Sequence, residues 1–124
     1  ALLTAQVFAA YSGSGSSHRP DTDAVLTAVR DRDLAALAAS TANALESVSL
    51  NLVPGLRTIK NQLRATGAIV VQMSGSGPAV FGLYASREAC QNALEMLRDV
   101  LPQIRLIASR SLAAGPRLIQ MQNG

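Results

Sequence analysis

Cysteine, histidine and tryptophan are almost missing from this chain. Of its 124 residues, one is cysteine, one is histidine and none is tryptophan. A lone Cys90 excludes an intrachain disulfide and any zinc site built on a cysteine pair, and it fits a reducing compartment. His18 has no second histidine, cysteine or carboxylate cluster at ligand spacing, so it reads as a surface histidine rather than a metal ligand or general base. Aromatics are limited to Phe8, Tyr11, Phe81 and Tyr84. The core must therefore come from Leu, Ile, Val and Ala, and a stacking platform for nucleic acid has little support.

Charge is also sparse. The net charge is +3, too small to argue for a nucleic-acid partner. No acid follows Asp99, while Arg105, Arg110 and Arg117 do. Arg57, Lys60 and Arg64 recur at helical spacing and read as one solvated face. No apolar run approaches ~18 residues, and no charged segment leads into an apolar core and cleavage site. The expected protein is cytoplasmic with no membrane partner. Ala1-Leu2-Leu3 opens inside an apolar run without an initiator methionine, as in a chain cut from a longer one.

The stretch that stands out is Met73-Ser74-Gly75-Ser76-Gly77-Pro78-Ala79-Val80-Phe81. An apolar run from Ala68 to Val71 leads in, and a second from Ala79 to Tyr84 leads out, a hairpin-like pattern. Two glycines and two serines give a loop whose backbone N–H groups have no Cβ in the way. Such a loop suits a phosphate or another anion, and it equally suits a plain turn.

Around it the spacing predicts mostly helix. A short helix runs from Ala5 to about Tyr11, with Thr4 able to cap it, and Ser12 to Arg19 is a low-complexity connection. Asp21 or Thr22 caps a helix with Val25, Leu26 and Val29 inward. Asp33 starts another with Leu34, Leu37 and Ala38 inward. Asn43 and Glu46 form a capping-box-like pair before a helix with Leu45, Val48 and Leu52 on one side. Pro54 opens a helix with a Leu56, Ile59, Leu63 stripe, and Gly67 is suited to end it. Ser86 caps a helix carrying Cys90, Ala93, Leu94, Leu97, Val100 and Leu101, so Cys90 reads as packing. Pro102 stops it. Ile104 to Ala108 reads as a third strand and Leu118 to Met121 as a last short one. The expected class is α+β: a small antiparallel sheet with helices packed mainly on one face.

Several chemistries drop out. A P-loop needs Gly-Lys-Ser/Thr, which is lacking. The dinucleotide fingerprint fails because Val80 stands three residues beyond Gly77, and a strand rather than a helix follows. No nucleophile elbow is present.

Three stretches in order, Thr4-Ala5-Gln6-Val7-Phe8, Asn43-Ala44-Leu45-Glu46 and the Met73 to Phe81 run, resemble the C-terminal half of the 4-diphosphocytidyl-2-C-methyl-D-erythritol kinase family, within the GHMP kinase superfamily. The resemblance spans essentially the whole chain, including Ala113-Ala114-Gly115-Pro116. It implies a ferredoxin-like C-terminal, substrate-side domain over residues 1–124, with the N-terminal ATP-binding domain absent. It implies transfer of the ATP γ-phosphate, with Mg²⁺, to the 2-hydroxyl of the methylerythritol unit in non-mevalonate isoprenoid precursor biosynthesis. The partners implied are a cytidine diphosphate substrate and the chain's own N-terminal domain.

By this resemblance Phe8 takes the place of the aromatic that stacks on cytosine, and Thr4 opens the same motif near the substrate. Ser74, Gly75, Ser76 and Gly77 match the superfamily's third, phosphate-proximal motif. The catalytic residues, the ATP loop and the metal site lie in the absent half, so this piece alone is expected to be inactive. The residues by themselves leave Phe8 open as a core aromatic and Thr4 as a helix cap. Asn43 and Glu46 are expected to be structural only. Alternatives are another GHMP kinase, of homoserine or mevalonate type, or a non-catalytic binding or dimerisation module with an open sheet edge.

Overall fold

In the computed structural model, residues 4–13 and 20–113 are described. The elements run α1 (Thr4–Gly13), α2 (Thr22–Arg30), α3 (Leu34–Ser40), α4 (Glu46–Leu52), α5 (Gly55–Ala65), β1 (Val70–Met73), β2 (Val80–Leu83) and α6 (Arg87–Val100). This is an α+β architecture, as the sequence predicts.

The hairpin forms where the apolar runs place it. Strands β1 and β2 are antiparallel, with Val70 opposite Leu83 and Met73 opposite Val80. Beyond the strands, the Ser74 N–H donates to the Ala79 carbonyl at 2.8 Å, and the Gly77 N–H closes a tight turn onto the Ser74 carbonyl at 3.1 Å. Gly75 stands at the first central position of that turn with φ +59, a conformation that disfavours a side chain.

Successive residues of a strand point to opposite faces. Val71 therefore meets Leu63 of α5 and Leu97 of α6 in one buried cluster, with Ile59, Ala68, Val80, Leu101 and Leu106 packed around it. Phe81 is exposed. Helix α5 lies across both strands and α6 packs against α5. Local chemistry sets the helix ends. Asp21, Asp33 and Ser86 each accept the N–H three residues on, at 3.0, 2.9 and 3.0 Å. Gly67, just past α5, has φ +92.

Several expectations are corrected. Residues 104–108 carry no strand: the Ile104 N–H bonds back to the Leu101 carbonyl, and no ladder forms with β2. Leu106 turns toward the core while Ile107 is exposed, so the segment packs through Leu106 without gaining a partner strand. The sheet among the described residues is two-stranded. On α2 and α3 the expected inward residues Leu26, Val29 and Leu34 are exposed, and Ala28 is the buried one. These helices of nine and seven residues pack chiefly on each other, which covers only a narrow inner strip. Leu52 of α4 and Val100 of α6 are also exposed.

The expected strand at Leu118 to Met121, the turn at Ala113 to Pro116 beyond its first residue, and His18 lie outside the described residues. No helix among the described residues is long and apolar enough to cross a membrane.

Candidate functional site

The Ser/Gly loop is held by three side chains of one stretch, residues 43–49. Asn43, just before α4, donates through Nδ2 to the Met73 carbonyl at 2.7 Å and to the Gly75 carbonyl at 2.8 Å. Its Oδ1 accepts the Leu45 N–H at 3.0 Å, so the whole amide is fixed in orientation. Ser49 of α4, fully buried, donates to the Ser76 carbonyl at 3.0 Å. Glu46 accepts the Met73 N–H at 3.2 Å and pairs with Lys60 of α5 at 2.5 Å.

Sequence reasoning reads Asn43 and Glu46 as a helix cap, and the structure corrects this. Leu45 occupies the cap position of α4 and makes no side-chain cap bond. Both polar side chains turn toward the hairpin instead, where the buried ends of β1 need partners. Lys60 is corrected too. It is 4% exposed rather than part of a solvated face. Its position betrays it: Lys60 falls between Leu56 and Leu63, on the stripe that α5 buries.

The structure joins the first and third of the stretches marked by the resemblance. Thr4 Oγ1 and Ser76 Oγ are 3.1 Å apart. The Thr4 hydroxyl thus engages the loop, beyond what a helix cap requires. Phe8 follows Thr4 by four residues on α1 and so lies on the same side of the helix. It is 52% exposed, whereas Val7 is fully buried. Helix α1 therefore inserts Val7 as its anchor and leaves the Phe8 ring open to contact.

The loop's polarity is sorted by these bonds. The carbonyls of Met73, Ser74, Gly75 and Ser76 all accept hydrogen bonds from the protein. The Gly75 and Ser76 N–H groups donate to nothing among the described residues. A Cβ built on Gly75 would meet no atom within 4 Å, so that side of the loop is open. Carbonyls inward and amides outward is the polarity an anion requires.

An apolar cavity of about 510 Å³ lies elsewhere, between β2, α6 and residues 104–111. Thr4, Phe8 and Ser74 to Gly77 do not line it. Its walls are chiefly Leu, Ile, Val and Ala, with Arg105, Ser109, Arg110 and Ser111 at residues 105–111. Cys90 borders it, half-buried, within the packing of α6. No group of three or more His, Cys, Asp or Glu able to hold a metal occurs among the described residues. Glu46, the acid under the loop, is already committed to Lys60.

The fold is an α+β domain with a braced Ser/Gly loop, and comparison with known proteins gives its family. A protein-family model described as GHMP kinases C terminal matches residues 25–103, and the chain belongs to that family. Among curated proteins it is similar to 4-diphosphocytidyl-2-C-methyl-D-erythritol kinase of Alkaliphilus metalliredigens, at 39% identity over 110 residues, covering 89% of this chain and 38% of the relative. The Bacillus subtilis enzyme of the same name is 37% identical over 103 residues, covering 83% of this chain and 35% of the relative. A crystal structure of 4-(cytidine 5'-diphospho)-2C-methyl-D-erythritol kinase superposes with a TM-score of 0.66 at 29% identity, covering 80% of this chain and 35% of that one. The chain thus spans little more than a third of the length of the relatives it matches.

Proposed function

We propose that this chain is the C-terminal, substrate-side domain of an ATP-dependent kinase. The kinase phosphorylates the 2-hydroxyl of 4-diphosphocytidyl-2-C-methyl-D-erythritol, a step toward isoprenoid precursors by the non-mevalonate route. The observation that carries this reading is the 3.1 Å contact between Thr4 and Ser76. It links the helix bearing the exposed Phe8 to the loop whose Gly75 and Ser76 amides have no partner among the described residues; in this reading the ring stacks on the base and the loop faces the phosphates.

Phosphoryl transfer needs little covalent help from protein groups. It depends on alignment and on charge stabilisation around the phosphates. In this reading Phe8 stacks on the cytosine, Thr4 sits beside it, and Ser74 to Gly77 form one wall of the phosphate site. ATP contributes the phosphoryl group and Mg²⁺ offsets its charge. In this reading the metal, the main ATP loop and the base belong to an N-terminal domain outside this chain. The enzyme is read as cytoplasmic.

The test is an ATP-dependent phosphorylation assay on the full-length protein, with the cytidine diphosphate methylerythritol, homoserine and mevalonate as competing acceptors. Only the first should be phosphorylated, and the 124-residue chain alone should be inactive. Turnover of homoserine or mevalonate would replace the substrate assignment. Micromolar ATP binding by this chain alone would contradict the division of labour between the halves.

A further inference from the structure

We propose that Asn43 and Ser49 are positioning residues that set the polarity of the Ser74 to Gly77 loop, so that its Gly75 and Ser76 amides bind a phosphate-bearing ligand. This rests on the kinase reading above and extends it to residues that touch no ligand themselves.

Asn43 spans two carbonyls. A primary amide has two N–H donors, and here one goes to Met73 and the other to Gly75. These carbonyls stand at the end of β1 and inside the turn, so the bonds fix the chain direction on entering the loop. Ser49 holds the next carbonyl, that of Ser76. The remaining one, Ser74, is closed by the loop's own Gly77 N–H. With each carbonyl held, rotation of the Gly75 or Ser76 peptide breaks a hydrogen bond, the one from Asn43 to Gly75 exposed and the one from Ser49 to Ser76 partly buried. Glycine at Gly75 would otherwise permit such rotation freely. The side chains thus supply the rigidity that the sequence of the loop lacks.

A carboxylate in place of the Asn43 amide inverts this arrangement. Asn43→Asp is nearly isosteric, but it aims acceptors at two carbonyl oxygens. The peptides should turn away and their amides should leave the ligand face. A loop displaced by about 1 Å is enough to lower a phosphoryl-transfer rate on the order of 100-fold.

The experiment uses the full-length protein, ¹⁵N-labelled, as wild type, Asn43→Asp and Ser49→Ala. The Gly75 and Ser76 amide resonances are followed on adding a non-hydrolysable ATP analogue, and separately on adding cytidine diphosphate. Steady-state kinetics and unfolding midpoints are measured alongside. In the wild type both amides should shift with at least one ligand, and the arm that responds names the source of the phosphate. In folded Asn43→Asp those shifts should vanish and kcat should fall about 100-fold. KM for whichever ligand leaves the wild-type amides silent should stay within about threefold, because its contacts are untouched. Ser49→Ala should lie between the two and keeps the test available if Asn43→Asp does not fold. Silent wild-type amides with both ligands, or a folded variant with wild-type kcat and shifts, would overturn the proposal. A wild type that responds to a ligand but does not phosphorylate the methylerythritol substrate would sink the substrate assignment and leave the loop mechanism standing.

Discussion

Lys60 and Glu46 form an ion pair beneath the hairpin, their side chains only 5% and 18% exposed. The same Glu46 oxygen that meets the ammonium also accepts the Met73 N–H. One carboxylate therefore ties α5 to α4 and both to the end of β1. Removing one partner of such a buried pair typically costs about 3–5 kcal/mol, because the other charge is left without compensation. Glu46→Gln keeps an acceptor for Met73 but strands the ammonium, and should cost about 3 kcal/mol. Adding Lys60→Met should restore much of that loss, since the stranded charge is gone and the stripe becomes apolar. Urea unfolding of the four members of this cycle checks it. Single losses below about 1 kcal/mol would class the pair with exposed salt bridges instead.

Gly75→Ala separates backbone cost from space. No atom lies within 4 Å of the added methyl, so any loss of stability must come from the φ of +59. An alanine in that region costs about 1–2 kcal/mol. In the proposed reading, the strained backbone would also shift the Gly75 and Ser76 amides that face the ligand. Turnover of the full-length enzyme should therefore fall by more than the stability loss explains at a temperature where the variant is folded. Gly82→Ala makes the contrast, because its Cβ would lie 3.2 Å from both Leu63 and Tyr84 and 3.3 Å from Ala68. It should destabilise by overpacking, by about 1–3 kcal/mol, without touching the loop. Thermal unfolding paired with kinetics for the two variants distinguishes the mechanisms.

Helix α3 depends on its cap. It has seven residues and none of them is buried, so little tertiary packing supports it. Asp33 satisfies the Ala36 N–H at 2.9 Å. Asp33→Ala should cost about 1 kcal/mol, appearing as faster amide exchange across Leu34 to Ser40 with the hairpin unaffected. Uniform acceleration over α5 and β1 as well would mean that α3 is coupled to the core more tightly than its burial indicates.

These cases also show what was legible in the sequence. Caps at Asp21, Asp33 and Ser86 and the hairpin around Gly75 were readable because the deciding contacts are three residues away or within the turn. The support of the loop was not. Asn43, Ser49 and Glu46 reach partners 27 to 32 residues distant, and nothing in their local spacing distinguishes a helix cap from a hairpin brace. Lys60 was recoverable from its place on an apolar stripe. The segment at Ile104 shows the opposite failure: strand-like residues make no strand unless another backbone is there to pair with them.

Val7 and Phe8, adjacent on α1, should respond to truncation in opposite ways. Val7 is 0% exposed and Phe8 is 52% exposed. Val7→Ala removes buried methyl groups and should destabilise by about 2 kcal/mol, with ligand affinity unchanged in the folded fraction. Phe8→Ala removes a ring that supports little packing, so the unfolding midpoint should hardly move. If the ring stacks on a pyrimidine, its loss should weaken binding of cytidine diphosphate to the full-length protein about 5- to 10-fold, the equivalent of an offset stack worth about 1 kcal/mol or slightly more. Phe8→Tyr should keep most of that affinity, because the face of the ring is preserved, while Phe8→Leu should not, although it keeps apolar area. Calorimetric titration of the three Phe8 variants reads this order. Equal affinity for Phe8→Leu and Phe8→Tyr would show that the site values apolar surface rather than an aromatic face, and the cytosine would then have to be placed elsewhere.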